Sequence, residues 1–258
     1  MLDLNSIYVW RIGLEAAASV SEGRLGSWYG LLSFEEKKRA DAFRGPGLRR
    51  DYVVAHAALR SVLGRCLGIS PARVRFAPDT ARESGGGLMG AAASKPELMP
   101  DGGRPELRFN LSHTRGAALI GVTAGRELGI DIEWQRPMDD LEGMARSVMS
   151  DEELAIWRSL EPGERTAAFY HLWTRKEAYL KAIGLGLFRS LQEVTVPVSP
   201  RRLEGLPNGG LPVRDRAGNG VWTVADVVVP EGYSASICCE GDSIPPLVME
   251  DLSLDSIG

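Results

Sequence analysis

The sequence predicts an α+β protein built as two similar halves, and three observations carry that expectation. Segments alternating with period two are interleaved with segments of helical periodicity, which calls for both strands and helices. The order runs strand, helices, strands and then repeats, without visible identity between the halves. A Gly-, Ala- and Pro-rich stretch over residues 79–106 separates them. The expected organisation is residues 1–106 as a first half that includes this linker, 107–241 as a second half, and 242–258 as an acidic tail. With 258 residues, 44% hydrophobic and 25% charged, the chain can supply one large core or two smaller ones.

Ile7 to Ile12 alternates in large side chains and reads as the first strand. Ser33-Phe34-Glu35-Glu36 makes a capping box, so a helix starts at Ser33 and runs to about Phe43. From Leu48 to Leu67 apolar residues recur at helical spacing, and Gly68 is a natural stop. Val74 to Ala77 is a short strand, and 79–106 reads as a long, mobile loop of the functional or linking kind. Strands are expected at Phe109–Leu111, Ala117–Thr123 and Leu128–Trp134, then helices at 138–148, 151–160 and 163–183. Strands at Val194–Val198, Val221–Val229 and Ser234–Cys239 close the pattern. After Gly241 the patterning lapses, which predicts a loosely held tail; from Glu240 onward there is no Lys or Arg.

The formal net charge of −4 gives no reason to expect a nucleic-acid partner. Three cysteines are too few and too badly spaced for a zinc site or a disulfide framework. Cys238 and Cys239, adjacent on a strand, should point to opposite faces, while Cys66 falls in an apolar helical run. The N-terminal residues lack a secretory pattern, and no run approaches the roughly 18 apolar residues of a membrane helix. A cytoplasmic location without a membrane partner is expected.

Three motifs carry chemistry. In Gly129-Ile130-Asp131-Ile132-Glu133 strand alternation puts both carboxylates on one face, where they repel unless solvated or joined to a cation such as magnesium. A solvated acidic edge would give the same pair. In Trp173-Thr174-Arg175-Lys176-Glu177-Ala178-Tyr179-Leu180-Lys181 helical spacing stacks Trp173, Glu177 and Lys181, with Lys176 one position round. A carboxylate flanked by ammonium groups suits a metal-bound diphosphate, although an ordinary surface Glu–Lys pair has the same spacing. In Asn110-Leu111-Ser112-His113 the hydroxyl and imidazole could bind phosphate, although a lone Ser-His is most often a turn. Adjacent Ser and His do not make a nucleophile–base pair, and no Gly-x-Ser-x-Gly elbow is present.

The three blocks in this order, with Trp-x-x-Lys-Glu-Ala-x-x-Lys-x-x-Gly-x-Gly at Trp173–Gly186, closely resemble the surfactin-synthetase-type (Sfp-type) 4′-phosphopantetheinyl transferases. Leu32-Ser33, His56-x-x-Leu59-Arg60 and Lys95-Pro96 stand in the family's order, and the resemblance covers roughly residues 7–240. It implies a pseudo-twofold monomer of two α+β halves with coenzyme A in the cleft between them. It implies Asp131, Glu133 and Glu177 as ligands of magnesium, with manganese as the alternative, and Lys176 and Lys181 at the diphosphate. His113 matches a residue at a phosphate of coenzyme A, and Ser112 and Lys95 match residues at its 3′-phosphate. Arg60 and His56 match the first half's contribution to the coenzyme A site, and Arg39 and Arg44 could add charge near the nucleotide. The implied partners are apo acyl or peptidyl carrier proteins. The implied base is Glu177, directly or through a metal-bound water.

The chain departs from the family's pattern in two places. Ser94 precedes Lys95-Pro96 where Gly is frequent, which leaves Arg104-Pro105 as an alternative at the 3′-phosphate, and Glu36 replaces a basic residue of some relatives. Two other functions compete with the transferase: a non-catalytic carrier-binding homologue and a metal-dependent hydrolase of nucleotide diphosphates.

Overall fold

Two four-stranded sheets, a two-stranded ribbon and six α-helices make up the described part of the computed structural model, which is residues 3, 5–77, 95–99, 106–184, 190–205 and 209–258. The strands are β1 (Ile7–Gly13), β2 (Leu107–Thr114), β3 (Ala117–Ala124), β4 (Leu128–Trp134), β5 (Val194–Thr195), β6 (Leu211–Pro212), β7 (Arg214–Asp215), β8 (Trp222–Asp226), β9 (Tyr233–Glu240) and β10 (Leu247–Asp251). The helices are α1 (Glu22–Leu31), α2 (Phe34–Ala42), α3 (Pro46–Leu67), α4 (Leu141–Val148), α5 (Asp151–Ser159) and α6 (Arg165–Ile183). The protein is thus a mixture of helix and sheet, as expected. The first sheet has the order β10-β1-β3-β2 and the second β4-β9-β8-β6; β5 pairs with β7.

Each sheet carries a long helix on one face and shares apolar side chains with the other sheet on its opposite face. In β1, Trp10 and Ile12 face α3, while Ile7 and Val9 join Leu128, Ile130, Ile132 and Ile237 between the sheets. Cys238 packs on the α6 side and Cys239 between the sheets, as period two requires. Gly68 and Gly184 end α3 and α6 in the left-handed conformation, with φ of 61° and 72°.

Two expectations about organisation need correction. Strands β2 and β3, assigned by sequence to the second half, hydrogen-bond in the first sheet beside β1, so the sheets do not divide at residue 106. The last residues are not loosely held either. Strand β10 runs parallel to β1 with Ile7 opposite Leu247, and Leu252 and Ile257 are buried in the first core. The acidic side chains of this segment face outward or pair, as in Arg11–Asp251 at 2.8 Å. Of the long loop, residues 95–99 fold back on 74–77 through an antiparallel bridge of Phe76 and Leu98; 78–94 and 100–105 lie outside the described residues.

The capping box at Ser33 forms as read, and Glu36 does more than cap. One oxygen accepts from Ser33 N–H at 2.7 Å and from Arg60 Nε at 2.7 Å; the other lies 3.1 Å from His56 Nδ1. Burial alone would raise the Glu36 pKa, but His56, Arg60 and the Ser33 amide overcome it and hold the carboxyl down at about 2. The folded pKa is depressed, so the stabilisation is complete above the ordinary 4.5 and is lost as pH falls towards 2. Glu36→Gln is expected to cost roughly 3 kcal/mol at pH 7, because it strands the Arg60 guanidinium in the core. Urea melts of both proteins should converge between pH 4.5 and 2; a gap that stays constant over that window would refute the account.

Candidate active site

The site begins with a glycine. Gly129 lies on the same face of β4 as Asp131 and Glu133, and a Cβ there would stand 2.1 Å from Ala178 O and 2.4 Å from Ala182 N. Only glycine lets the α6 backbone lie this close to the strand. That contact brings the Trp173–Glu177–Lys181 stripe over the two carboxylates. Lys181 Nζ reaches Asp131 Oδ1 at 2.6 Å and Ser112 Oγ at 2.8 Å, and Ser112 Oγ lies 2.9 Å from the same carboxylate oxygen. Trp173, expected to be a core anchor, stacks on Phe169 at 5.9 Å and lies beside Glu133, where it favours the charged carboxylate.

Like charges crowd here. Burial first, then Asp131, push the Glu133 carboxyl above its ordinary pKa, against Thr114, Lys181 and Trp173. Glu177 is pushed up to about 7 by burial, with Asp131 and Glu133 adding to it and Lys181 opposing. Asp131 Oδ2 and Glu177 Oε1 are buried without a hydrogen-bond partner among the described residues. Unsatisfied carboxylate oxygens in one acidic cluster fit a hard divalent cation, whose preferred ligands are oxygens. Among the described residues, however, no three His, Cys, Asp or Glu side chains are gathered into a ready-made metal cage.

His113 alternates with Ser112 and faces the other way, towards α3. Its ring meets Tyr52 edge-on at 6.5 Å, and Tyr52 in turn stacks on His56 at 3.9 Å. Although the residue is exposed, desolvation of its ring first, then His56 and Lys181, lower the His113 pKa, which favours the neutral ring and its N–H over a cation. Arg39 and Arg44 make no ion pair among the described residues; Arg44 is exposed.

Three sequence-predicted residues are placed elsewhere. Lys176, expected at the diphosphate, is fully buried and gives its three protons to Glu153, Val148 O and Leu191 O at 2.6, 2.9 and 2.8 Å. One step round the helix, about 100°, turned it away from β4 and into the core beside α5. Arg60, expected at coenzyme A, is 2% exposed and is used on Glu36, Val74 O and Pro71 O. Lys95 pairs with Glu127 at 2.5 Å and reaches Ala182 O at the end of α6. Arg108 shares Glu127 and lies four residues from Ser112, about 13 Å of extended chain. Lys95 is thus held at Glu127 and the end of α6, and no contact with Ser112 is seen among the described residues. The alternative, Arg104, lies outside the described residues.

Sequence reasoning missed a groove of about 410 Å³ beside Glu133, lined by Arg115, Trp134, Met138, Met144, Phe169 and Trp173. The Arg115 guanidinium lies 4.7 Å above the Trp134 ring. The one signal was the aromatic and methionine content flanking both motifs, which reads equally well as core.

Fold and site together define an α+β protein with a buried acidic cluster, flanked by a lysine, where two sheets meet. The sequence model of the 4′-phosphopantetheinyl transferase superfamily matches residues 127–238, the stretch that supplies Asp131, Glu133, Glu177 and Lys181. The chain is 32% identical to the 4′-phosphopantetheinyl transferase HetI of Nostoc sp. over 240 residues, covering 92% of this chain and 89% of the relative. It is 27% identical to the 4′-phosphopantetheinyl transferase Sfp of Bacillus subtilis over 237 residues, covering 87% and 93%. A shorter match, 40% over 78 residues, links it to the 4′-phosphopantetheinyl transferase AcpT of Salmonella typhimurium, covering 30% and 41%. The chain belongs to the 4′-phosphopantetheinyl transferase superfamily.

Proposed function

We propose that this protein transfers the 4′-phosphopantetheine arm of coenzyme A to a serine hydroxyl of an apo acyl or peptidyl carrier protein, releasing 3′,5′-ADP. The observation that carries the reading is Lys181 on Asp131, with Glu133 and Glu177 near enough for the like charges to act on one another, in a chain of this family. The three carboxylates would hold magnesium, or manganese, and diphosphate oxygens would complete its ligands. Bound there, the ion would neutralise charge on the diphosphate.

The chain's own residues then have distinct tasks. Lys181, whose ammonium lies against Asp131, is free to turn to a phosphate oxygen once that carboxylate is otherwise neutralised. Glu177 would take the proton of the carrier serine, directly or through a water. The serine oxygen bonds to the phosphorus nearer the pantetheine while the bond to the ADP oxygen breaks. His113 and His56 stand on the first-sheet side, where an N–H can meet a phosphate oxygen, and Arg39 and Arg44 add charge nearby. The apolar groove beside Glu133 suits the pantetheine chain. In this reading the two halves are related by a pseudo-twofold, the active unit is a cytoplasmic monomer, and neither nucleic acid nor membrane takes part. Two sheets, each backed by one long helix, support that two-half arrangement.

Intact-mass analysis of apo carrier proteins incubated with this protein, coenzyme A and magnesium should show a phosphopantetheine-sized gain that disappears with chelator. No gain on fatty-acid, polyketide or nonribosomal peptide carriers, with coenzyme A still bound, would overturn the transferase reading. Breakdown of coenzyme A without a carrier would replace it with a hydrolase.

A further inference from the structure

Strands β2 and β4 are the facing edges of two different sheets, and among the described residues no backbone ladder joins them. The outward amides of β4 are answered by side chains instead. Asn110 Oδ1 accepts from Ile130 N–H at 3.1 Å, Ser112 Oγ from Ile132 N–H at 3.3 Å, and Thr114 Oγ1 from Trp134 N–H at 3.4 Å. Period two puts all three acceptors on one face of β2. The Ile130 and Ile132 positions are almost wholly buried, so their amides would be costly without these partners.

Two of the three residues do a second thing. Ser112 donates its hydroxyl proton to Asp131 Oδ1 at 2.9 Å, and Thr114 donates to Glu133 Oε2 at 3.3 Å. Each hydroxyl thus grips one β4 residue's carboxylate and the backbone amide that follows it, which fixes how far that carboxylate can swing. Asn110 shares the amide contact, but no carboxylate contact to it is seen among the described residues. The Ser112 hydroxyl has one proton, and it is already committed to Asp131 while its oxygen accepts from Ile132 and Lys181. A phosphate could take that proton only by releasing Asp131.

We infer that Ser112 and Thr114 are positioning residues for the divalent cation, acting through Asp131 and Glu133, and that Asn110 is a purely structural member of the same row. The inference rests on the metal reading proposed above. It reassigns Ser112 from the 3′-phosphate expected by resemblance.

The test is manganese binding followed by electron paramagnetic resonance on the full chain without coenzyme A, for wild type, Ser112→Ala, Thr114→Val, Thr114→Ser and Asn110→Ala. Partners that orient metal ligands typically contribute roughly 10- to 100-fold in affinity. Ser112→Ala and Thr114→Val should each weaken manganese at least about tenfold, Thr114→Ser should restore it, and Asn110→Ala should lower the melting temperature without changing affinity per folded molecule. Wild-type affinity in Thr114→Val and Ser112→Ala would overturn the inference, as would an equal loss in Asn110→Ala, which would make the row structural only. A wild-type protein that binds no manganese even when coenzyme A is added would instead remove the metal reading itself, and this inference with it.

Discussion

Removal of residues 243–258 is expected to unfold the first sheet and abolish activity. The segment completes the edge of that sheet beside β1, and its ends are tied in on both sides. Trp10 Nε1 donates to Glu250 at 2.7 Å, Trp28 Nε1 to Ile257 O at 3.2 Å, and Gly258 N–H to Ser61 Oγ at 3.1 Å. Arg65 also donates to Ser256 O. Leu252 and Ile257 are each 7% exposed in the α3 core. Loss of a buried Leu or Ile side chain costs roughly 2–5 kcal/mol, and two of them are a large part of a total stability of about 5–15 kcal/mol. At about 2–4 °C per kcal/mol for a chain of this size, the melting temperature should fall by about 10 °C or more, if soluble protein is recovered at all. Circular dichroism melts of the full chain and of residues 1–242 decide it. A truncated protein that melts within a few degrees of the full chain and still modifies a carrier would show that the buried contacts carry little weight.

Glu177→Gln should separate activity from stability in opposite directions. The carboxylate lies near Asp131 and Glu133, and one of its oxygens is buried with no partner among the described residues. Glutamine keeps the shape and removes the like charge, so the melting temperature should hold or rise. Turnover should fall by about 10²–10⁴, the range for losing a general base, and loss of a cation ligand acts in the same direction. Turnover rates on a purified apo carrier, paired with a thermal melt, test both halves. Near-normal turnover would take Glu177 out of the reaction. A melting temperature lowered by several degrees would mean that the carboxylate supports the fold rather than burdening it.

Much of the site was legible because it depends on two periodicities. Alternation along Leu128–Trp134 put Asp131 and Glu133 on one face, and the i, i+4, i+8 stripe put Trp173, Glu177 and Lys181 on another. Direction was harder. Lys176 sits beside that stripe, and only the packing of α5 decides that its side is the buried one. Arg60 carried a readable warning, since it stands among Leu59, Val62 and Leu63 on the apolar face of α3, where a charge must be paired. Helix α1 escaped notice because Gly23, Gly26 and Gly30 dilute its propensity and leave no clear stripe. Strand β10 escaped for a different reason. Five residues with two acids at the end show little alternation, and their partner is β1, 240 positions earlier.

That parallel pairing also governs how the protein is born. During synthesis the strand on the outer flank of β1 follows it by about 240 residues, after the six described α-helices and the strands of the second sheet have been made. The first sheet therefore cannot mature in step with synthesis, although its other partner, β3, arrives about halfway. Until then one side of β1 presents unpaired amides and carbonyls to whatever lies nearby, the condition under which nascent chains associate wrongly. Residues 247–257 give Leu252 and Ile257 to the core beside α3 and Leu247 and Met249 to the apolar layer between the sheets, so neither layer is complete until this segment has been made.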